Sequence, residues 1–365
     1  MPAPRVIISG GGTGGHIFPA IAIAQGIQKE YPDAEIMFVG ATGKMEMEKV
    51  PQAGYPIEGL WISGLQRKLT LKNLAFPFKV VSSLMKSRKI IRKFKPDLAV
   101  GVGGFASGPL LRAATGMGVK TLIQEQNSFP GITNKLLAKR VDKICVAYEG
   151  LERWFPAEKI TLTGNPIRQQ VVQIEGKKEQ AKKHFGLDPN KPVIFAMGGS
   201  LGARTINESL AQLADEIPSW EHQLLWQTGK LFIEQAADIS AQHTDIHAFE
   251  FIREMDLAYA AADIIVSRAG AMSISELCLI GKPVILIPFP YAAEDHQTKN
   301  AQALVDKQAA ILIADSECRH RLRGELQTLI GDTARQNEMG KNILTLGQKD
   351  ASSAIIDQIK ALIQQ

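Results

Sequence analysis

The chain repeats one pattern twice: a short β-branched run, a cluster of glycines, then a stretch of helical length. The first copy is Val6-Ile-Ile-Ser-Gly-Gly-Gly-Thr-Gly-Gly15 and the second is Val193-Ile-Phe-Ala-Met-Gly-Gly-Ser-Leu-Gly202. Apolar runs recur at residues 5–9, 35–39, 98–102, 120–124 and 143–147, and again at 192–196, 223–227, 263–267, 283–287 and 309–313. Amphipathic stretches separate them. Strands alternating with helices predict parallel sheets covered on both faces, with ligands beyond the carboxyl ends of the strands. An α/β chain of two Rossmann-like, doubly wound domains follows, a size that 365 residues supply. The polar stretch 164–183 marks the boundary, with residues 1–165 forming one domain and 166–347 the other. An amphipathic helix over 351–363, within the terminal segment 348–365, is expected to pack back on the first domain.

No apolar run approaches the ~18–20 residues that span a bilayer. The N-terminus lacks an apolar region of signal-peptide length, so nothing argues for secretion. Cys145, Cys278 and Cys318 form neither a CxxC pair nor an even framework, which predicts reduced thiols, a cytoplasmic setting and no structural zinc. The net charge of +5 is unevenly spread. Between Gly59 and Pro96 there are ten Lys and Arg and no acid, which leaves −5 for the rest of the chain. That segment interleaves Trp61, Leu65, Phe76 and Phe78 with Arg67, Lys68, Lys72 and Lys79, a composition suited to an anionic lipid surface. A nucleic-acid patch and a solvated basic helix face are the competing readings.

Four glycine-rich segments follow strands and open helices. They are Gly10-Gly-Gly-Thr-Gly-Gly-His16, Gly101-Val-Gly-Gly-Phe-Ala-Ser-Gly108, Gly198-Gly-Ser-Leu-Gly-Ala-Arg204 and Arg268-Ala-Gly-Ala-Met-Ser-Ile-Ser-Glu276. Glycine lets backbone N–H groups approach a phosphate, and the helix beyond supplies positive potential. One such loop is as well explained by a tight turn; four in two similar domains point to diphosphate binding. No GxxxxGK[ST] occurs, which argues against ATP hydrolysis, and the first loop fits a dinucleotide fingerprint only in part. No Asp-x-Asp occurs either, so dipoles, hydroxyls and Arg are expected to neutralise a diphosphate without a metal.

Among single residues, His16 opens a helix, where imidazolium is disfavoured; it reads as a neutral base or as a cap. Glu276 reads as a ribose ligand or as a surface acid near a helix start. Asn127 ends a strand within Gln124-Glu-Gln-Asn127 and is a site residue or a loop brace. Arg168, at the boundary, reaches a phosphate or is a solvated linker charge.

Gly11-Gly-Thr-Gly-Gly-His-Ile-Phe-Pro19, Gly103-Gly-Phe-Ala-Ser-Gly-Pro109, Glu125-Gln-Asn127, Gly164-Asn-Pro-Ile-Arg168, Gly198-Gly-Ser-Leu-Gly-Ala203, Arg268-Ala-Gly-Ala-Met-Ser-Ile-Ser-Glu276 and Asp295-His-Gln297 stand in this order. Together they resemble the MurG family, the bacterial N-acetylglucosaminyltransferases of peptidoglycan synthesis. The resemblance covers essentially the whole chain. It implies a GT-B fold of two Rossmann-like domains facing a cleft. It implies inverting, metal-independent transfer of GlcNAc from UDP-GlcNAc to the C4 hydroxyl of MurNAc in lipid I, with no cofactor and no nucleic acid. The enzyme would rest peripherally on the cytoplasmic face of the membrane. It also implies roles: His16 as base; Thr13, Gly14, Gly15, Asn127, Arg168, Ser200, Ile252, Ala271, Met272, Ser273, Ile274, Ser275, Glu276 and Gln297 around UDP-GlcNAc. Gly14, Gly15, Gly103, Gly104 and Ser107 would form the acceptor diphosphate loops. Two departures stand out: Ser273 replaces an expected threonine, and Thr298 replaces the second glutamine of some relatives. Another UDP-GlcNAc enzyme of the same fold, a 2-epimerase or a glycolipid glycosyltransferase, is the alternative, and a non-catalytic membrane scaffold is a further one.

Overall fold

The computed structural model describes residues 3–64, 76–167, 169–199 and 201–364. Leu65, Arg67, Lys68, Lys72, Arg168 and Ser200 lie outside these residues. The chain divides into two compact units. The first is Met1–Ile167 with Asp350–Gln365, and the second is Arg168–Lys349.

The first unit holds strands β1 (Arg5–Gly10), β2 (Glu35–Ala41), β3 (Ile57–Leu60), β4 (Leu98–Gly103), β5 (Lys120–Glu125), β6 (Lys143–Val146) and β7 (Ile160–Leu162). They form one parallel sheet of order β3-β2-β1-β4-β5-β6-β7. Residues alternate between its two faces and both faces are covered, which is why the interior strands read as continuous apolar runs. Val6 and Ile8 face one core with Ile17, Ile23 and Ile27, while Ile7 faces another with Leu110, Leu111 and Phe155. Helices α1 (Gly14–Glu30), α2 (Glu46–Gln52), α3 (Phe76–Phe94) and α4 (Ser107–Gly116) connect the first strands. The helix Ala351–Ile363 adds Ile355, Ile356, Ile359 and Leu362 to the α1 side. A Cβ on Gly26 of α1 would lie 3.0 Å from Ile356 Cδ1, so the two helices approach closely there.

The second unit repeats the plan with β8 (Val193–Met197), β9 (Gln223–Gln227), β10 (Ile246–Phe249), β11 (Ile264–Ser267), β12 (Val284–Leu286) and β13 (Ile311–Leu312), a parallel sheet of order β10-β9-β8-β11-β12-β13. Strands β3, β7 and β10 are additional to the ten apolar runs of the sequence, and all three lie at sheet edges. The order reverses between β1 and β4 in one sheet and between β8 and β11 in the other. The four glycine segments are the loops that leave these strands, so each pair flanks a topological switch point, where open α/β sheets bind ligands.

Candidate functional site

In the first unit the two glycine loops press against each other. Gly10 pairs with Gly103 across β1 and β4. Gly103 and Gly104 have φ of +102° and +89°, a region that favours glycine. A Cβ on Gly103 would lie 2.8 Å from His16 Nε2, and one on Gly104 would lie 2.3 Å from the Gly11 carbonyl oxygen. Both glycines therefore clear space for the imidazole and its loop, apart from any contact with phosphate. Thr13 caps α1 in extended conformation and is exposed, as is Gly15; Gly14 and His16 are half-buried. The His16 and Ile17 N–H groups donate to the Thr13 carbonyl at 3.1 and 3.2 Å, and the first turn of α1 has no acid. His16 Nδ1 lies 3.2 Å from the Gly11 carbonyl oxygen and 3.4 Å from Thr13 Oγ1. A carbonyl only accepts, so Nδ1 carries the hydrogen and Nε2 the lone pair.

The β5 loop is braced by a buried acid. Glu125 accepts from the Asn127 N–H (3.0 Å), Asn127 Nδ2 (3.2 Å), the Gly131 N–H (3.1 Å) and Asn134 Nδ2 (2.8 Å). Burial pushes its carboxyl up from the ordinary value, against the pull of these donors. Asn127 is thus fixed from below and half-buried at the strand end. Gln124 Nε2 donates to Asn165 Oδ1 at 2.8 Å, and Asn165 Nδ2 donates to the Gln126 carbonyl at 3.0 Å. The Glu125-Gln-Asn127 and Gly164-Asn-Pro motifs meet in this buried network. Ser107 differs from its expected role: its hydroxyl is buried beneath the loop, where a Cβ on Gly101 would come within 2.6 Å. Only its backbone N–H, at the start of α4, suits an anion.

On α3, Ser83, Ser87, Ile90, Ile91 and Phe94 face the core. Phe78, Val81 and Met85, at helical spacing on the other side, are exposed, and Arg88, Lys89 and Arg92 continue that face. Trp61 is exposed and Phe76 half-buried. Lys79 turns back to Ser63 Oγ (2.9 Å), with its Nζ 5.7 Å from the centre of the Trp61 ring.

In the second unit, Gly199 and Gly202 have φ of +82° and +77°, and a Cβ on Gly202 would lie 2.0 Å from the Thr228 carbonyl oxygen. Gln227, at the end of β9, donates to the Gly199 carbonyl at 3.3 Å and accepts from the Ile252 N–H at 2.9 Å. Ile252 is buried in the core, so its side chain is turned away from solvent. The helix Ala271–Ile280 starts from Gly270 with no acid in its first turn. Ala271 and Ile274 face the core, while Met272, Ser273, Ser275 and Glu276 are half-buried. Ser275 Oγ returns to the Ala271 carbonyl at 3.0 Å. Glu276 Oε2 accepts from the Tyr259 hydroxyl at 2.8 Å, and that hydroxyl lies 3.8 Å from Met197 Sδ at the end of β8. Burial and the Glu276 charge hold the Tyr259 pKa well above its ordinary value, so the phenol stays protonated and donates. Arg268 points inward: Nη1 donates to the Ile287 and Pro288 carbonyls at 3.1 Å each and pairs with Asp315. Gln297 Oε1 accepts from the Phe289 N–H at 2.9 Å, and Thr298 Oγ1 donates to Asp295 Oδ1 at 2.7 Å. Glu294 and Asp295, just before, both have positive φ (53° and 54°), which costs about 1–3 kcal/mol each.

Gln227 and Tyr259 are supporting residues that motif reading passes over, and Glu125 stands within a motif with no role assigned to it. The available signal was a polar group at or just after a strand end, as with Gln227 and Glu125.

Comparison with known proteins follows the same division. Residues 6–146 match the glycosyltransferase family 28 N-terminal domain and residues 193–355 its C-terminal domain. A protein of Flavobacterium psychrophilum named UDP-N-acetylglucosamine--N-acetylmuramyl-(pentapeptide) pyrophosphoryl-undecaprenol N-acetylglucosamine transferase is 53% identical, covering 100% of this chain and 99% of its own. One of Cytophaga hutchinsonii with the same name is 54% identical over 98% and 97% of the two chains. The crystal structure of Acinetobacter baumannii MurG superposes with a TM-score of 0.79 at 28% identity, covering 98% of this chain and 99% of that one. A Neisseria meningitidis UDP-GlcNAc 2-epimerase, at 15% identity and a TM-score of 0.67 over 98% and 100% of the chains, shares the fold alone. Two parallel-sheet units, loops at both switch points and full-length identity above one half together make this chain a member of the MurG family of glycosyltransferase family 28.

Proposed function

We propose that the chain transfers GlcNAc from UDP-GlcNAc to the C4 hydroxyl of MurNAc in lipid I, with inversion and without a metal, giving lipid II for peptidoglycan. The observation that carries this is His16 seated between two glycine turns at a sheet's switch point, in a chain 53% identical to a named lipid I glycosyltransferase.

The first unit supplies the acceptor side. His16 Nε2 takes the proton of the attacking hydroxyl, and the N–H groups of Gly14 and Gly15 at the start of α1 suit the acceptor diphosphate. Asn127, fixed by Glu125, hydrogen-bonds the GlcNAc. The second unit supplies the donor side. Glu276 accepts from the ribose hydroxyls, and Ile252 meets the uracil through its backbone. Negative charge grows on the departing UDP, and the helix Ala271–Ile280 stabilises it through its N-terminal N–H groups, with the Ser273 hydroxyl beside them. Inversion needs only one displacement and one base, which matches a single imidazole.

The test is transfer of radiolabelled GlcNAc to a short-chain lipid I analogue in the presence of EDTA. Labelled disaccharide product is expected, with none formed without acceptor. Acceptor-free conversion of UDP-GlcNAc to its 2-epimer, with no transfer, would overturn the reading.

Among the described residues no helix is long and apolar enough to cross a membrane. The exposed Phe78, Val81 and Met85 with the basic residues beyond them support peripheral attachment to anionic lipid on the cytoplasmic face. Phe78→Glu removes an apolar contact worth about 1.5–3 kcal/mol and adds a repelled charge. Cosedimentation with phosphatidylglycerol vesicles should weaken by about tenfold or more. Unchanged binding would remove α3 from the membrane surface.

A further inference from the structure

The peptide group joining Gly11 to Gly12 is engaged at both ends. Its carbonyl oxygen lies 3.2 Å from His16 Nδ1, and its N–H donates to Glu46 Oε2 at 2.9 Å. Glu46 stands at the start of α2, is 1% exposed, and accepts from the Ala41 N–H at 2.9 Å through its other oxygen. Among the described residues this carboxylate makes no ion pair within 4 Å. A buried charge held only by backbone donors is costly and needs a reason. The loop is shaped around it. A Cβ on Gly11 would lie 2.2 Å from Glu46 Oε1, and one on Gly40 would lie 2.5 Å from Glu46 Cγ. From the opposite side, Gly104 approaches the Gly11 carbonyl too closely for any side chain. The peptide is thus clamped with its dipole running from the carboxylate toward the imidazole.

We infer that Glu46 is a positioning residue for His16, acting through the Gly11–Gly12 peptide. The inference rests on the reading of His16 as the base. The carboxylate fixes the direction of the peptide, so its carbonyl holds the Nδ1 hydrogen and keeps the lone pair on Nε2. When Nε2 accepts the proton of the attacking hydroxyl, the imidazolium is stabilised by the peptide dipole and by the charge behind it. The Nδ1–H bond stays intact and Glu46 takes no proton. The arrangement does the work of a carboxylate–histidine pair with one peptide group between the partners.

The test is Glu46→Gln, which keeps the shape and one acceptor but removes the charge and puts an amide donor against a backbone N–H. The kcat should fall about tenfold with KM for UDP-GlcNAc unchanged. The ¹⁵N resonances of His16 should move from the Nδ1–H tautomer toward a mixture. In a His16→Ala background the same substitution should cost less than about twofold more, because its effect runs through the ring. A full further tenfold loss in that background, or an unchanged tautomer, would overturn the inference. Should Glu46→Gln fail to fold by circular dichroism, Glu46→Asp, which keeps the charge but falls short of Gly12, is read by the same tautomer shift and overturned by its absence. Normal turnover in His16→Ala alone would reject the base itself, while the tautomer shift would still report the linkage.

Discussion

Replacing His16 by alanine is expected to lower kcat by about 10²–10⁴-fold, some 3–5 kcal/mol of transition-state stabilisation. The imidazole is the titratable ring at the β1–β4 switch point, and its Nδ1 is committed to the Gly11 carbonyl. The KM for UDP-GlcNAc should stay within about threefold, since a base acts on the proton in flight rather than on the bound nucleotide. Alanine is the better helix former and the ring is only half-buried, so α1 should persist. Initial rates at saturating donor and acceptor measure the effect. Turnover within about threefold of the parent would reduce the ring to a brace for the glycine loop.

Glu276→Ala should act on the other parameter. Two ribose hydroxyls donating to one carboxylate make charge-assisted bonds of about 1.5–3 kcal/mol each. Allowing for imperfect geometry, KM for UDP-GlcNAc should rise by about 10²-fold with kcat much less affected. Tyr259 separates binding from bracing. Its hydroxyl, kept protonated by burial and by Glu276, donates to Oε2 and steers the carboxylate. Tyr259→Phe should therefore raise KM more modestly, by about three- to tenfold, with little change in fold because the ring stays packed on Phe195. If Glu276→Ala leaves KM unmoved, the carboxylate serves only to satisfy the phenol.

The sequence shows the interior of each sheet better than its margins, and loops better than their supports. Strands such as Val193–Met197 are buried on both faces and print as unbroken apolar runs. The edge strands Ile57–Leu60, Ile160–Leu162 and Ile246–Phe249 are short and half-solvated, and Glu58, Thr161 and His247 interrupt them. The glycine loops are legible because close backbone approach leaves only one residue type. What holds them is not, because Glu46 reaches Gly12 across 34 residues and Gln227 reaches Ile252 across 25. Ser107 and Ile252 lie in segments that the sequence singles out, but burial turns their side chains away from solvent.

The helix Ala351–Ile363 closes the α1 face of the first unit, yet it is encoded after the whole of the second. On the ribosome, α1 emerges early and waits with one apolar side uncovered while the second unit is made. Ile355, Ile356, Ile359 and Leu362, each worth about 1.5–3 kcal/mol when buried, arrive only after it. The segment that carries His16 at its first turn therefore gains its full support only after the second unit has been made, so a chain cut short of this helix has the loop without the scaffold that steadies it.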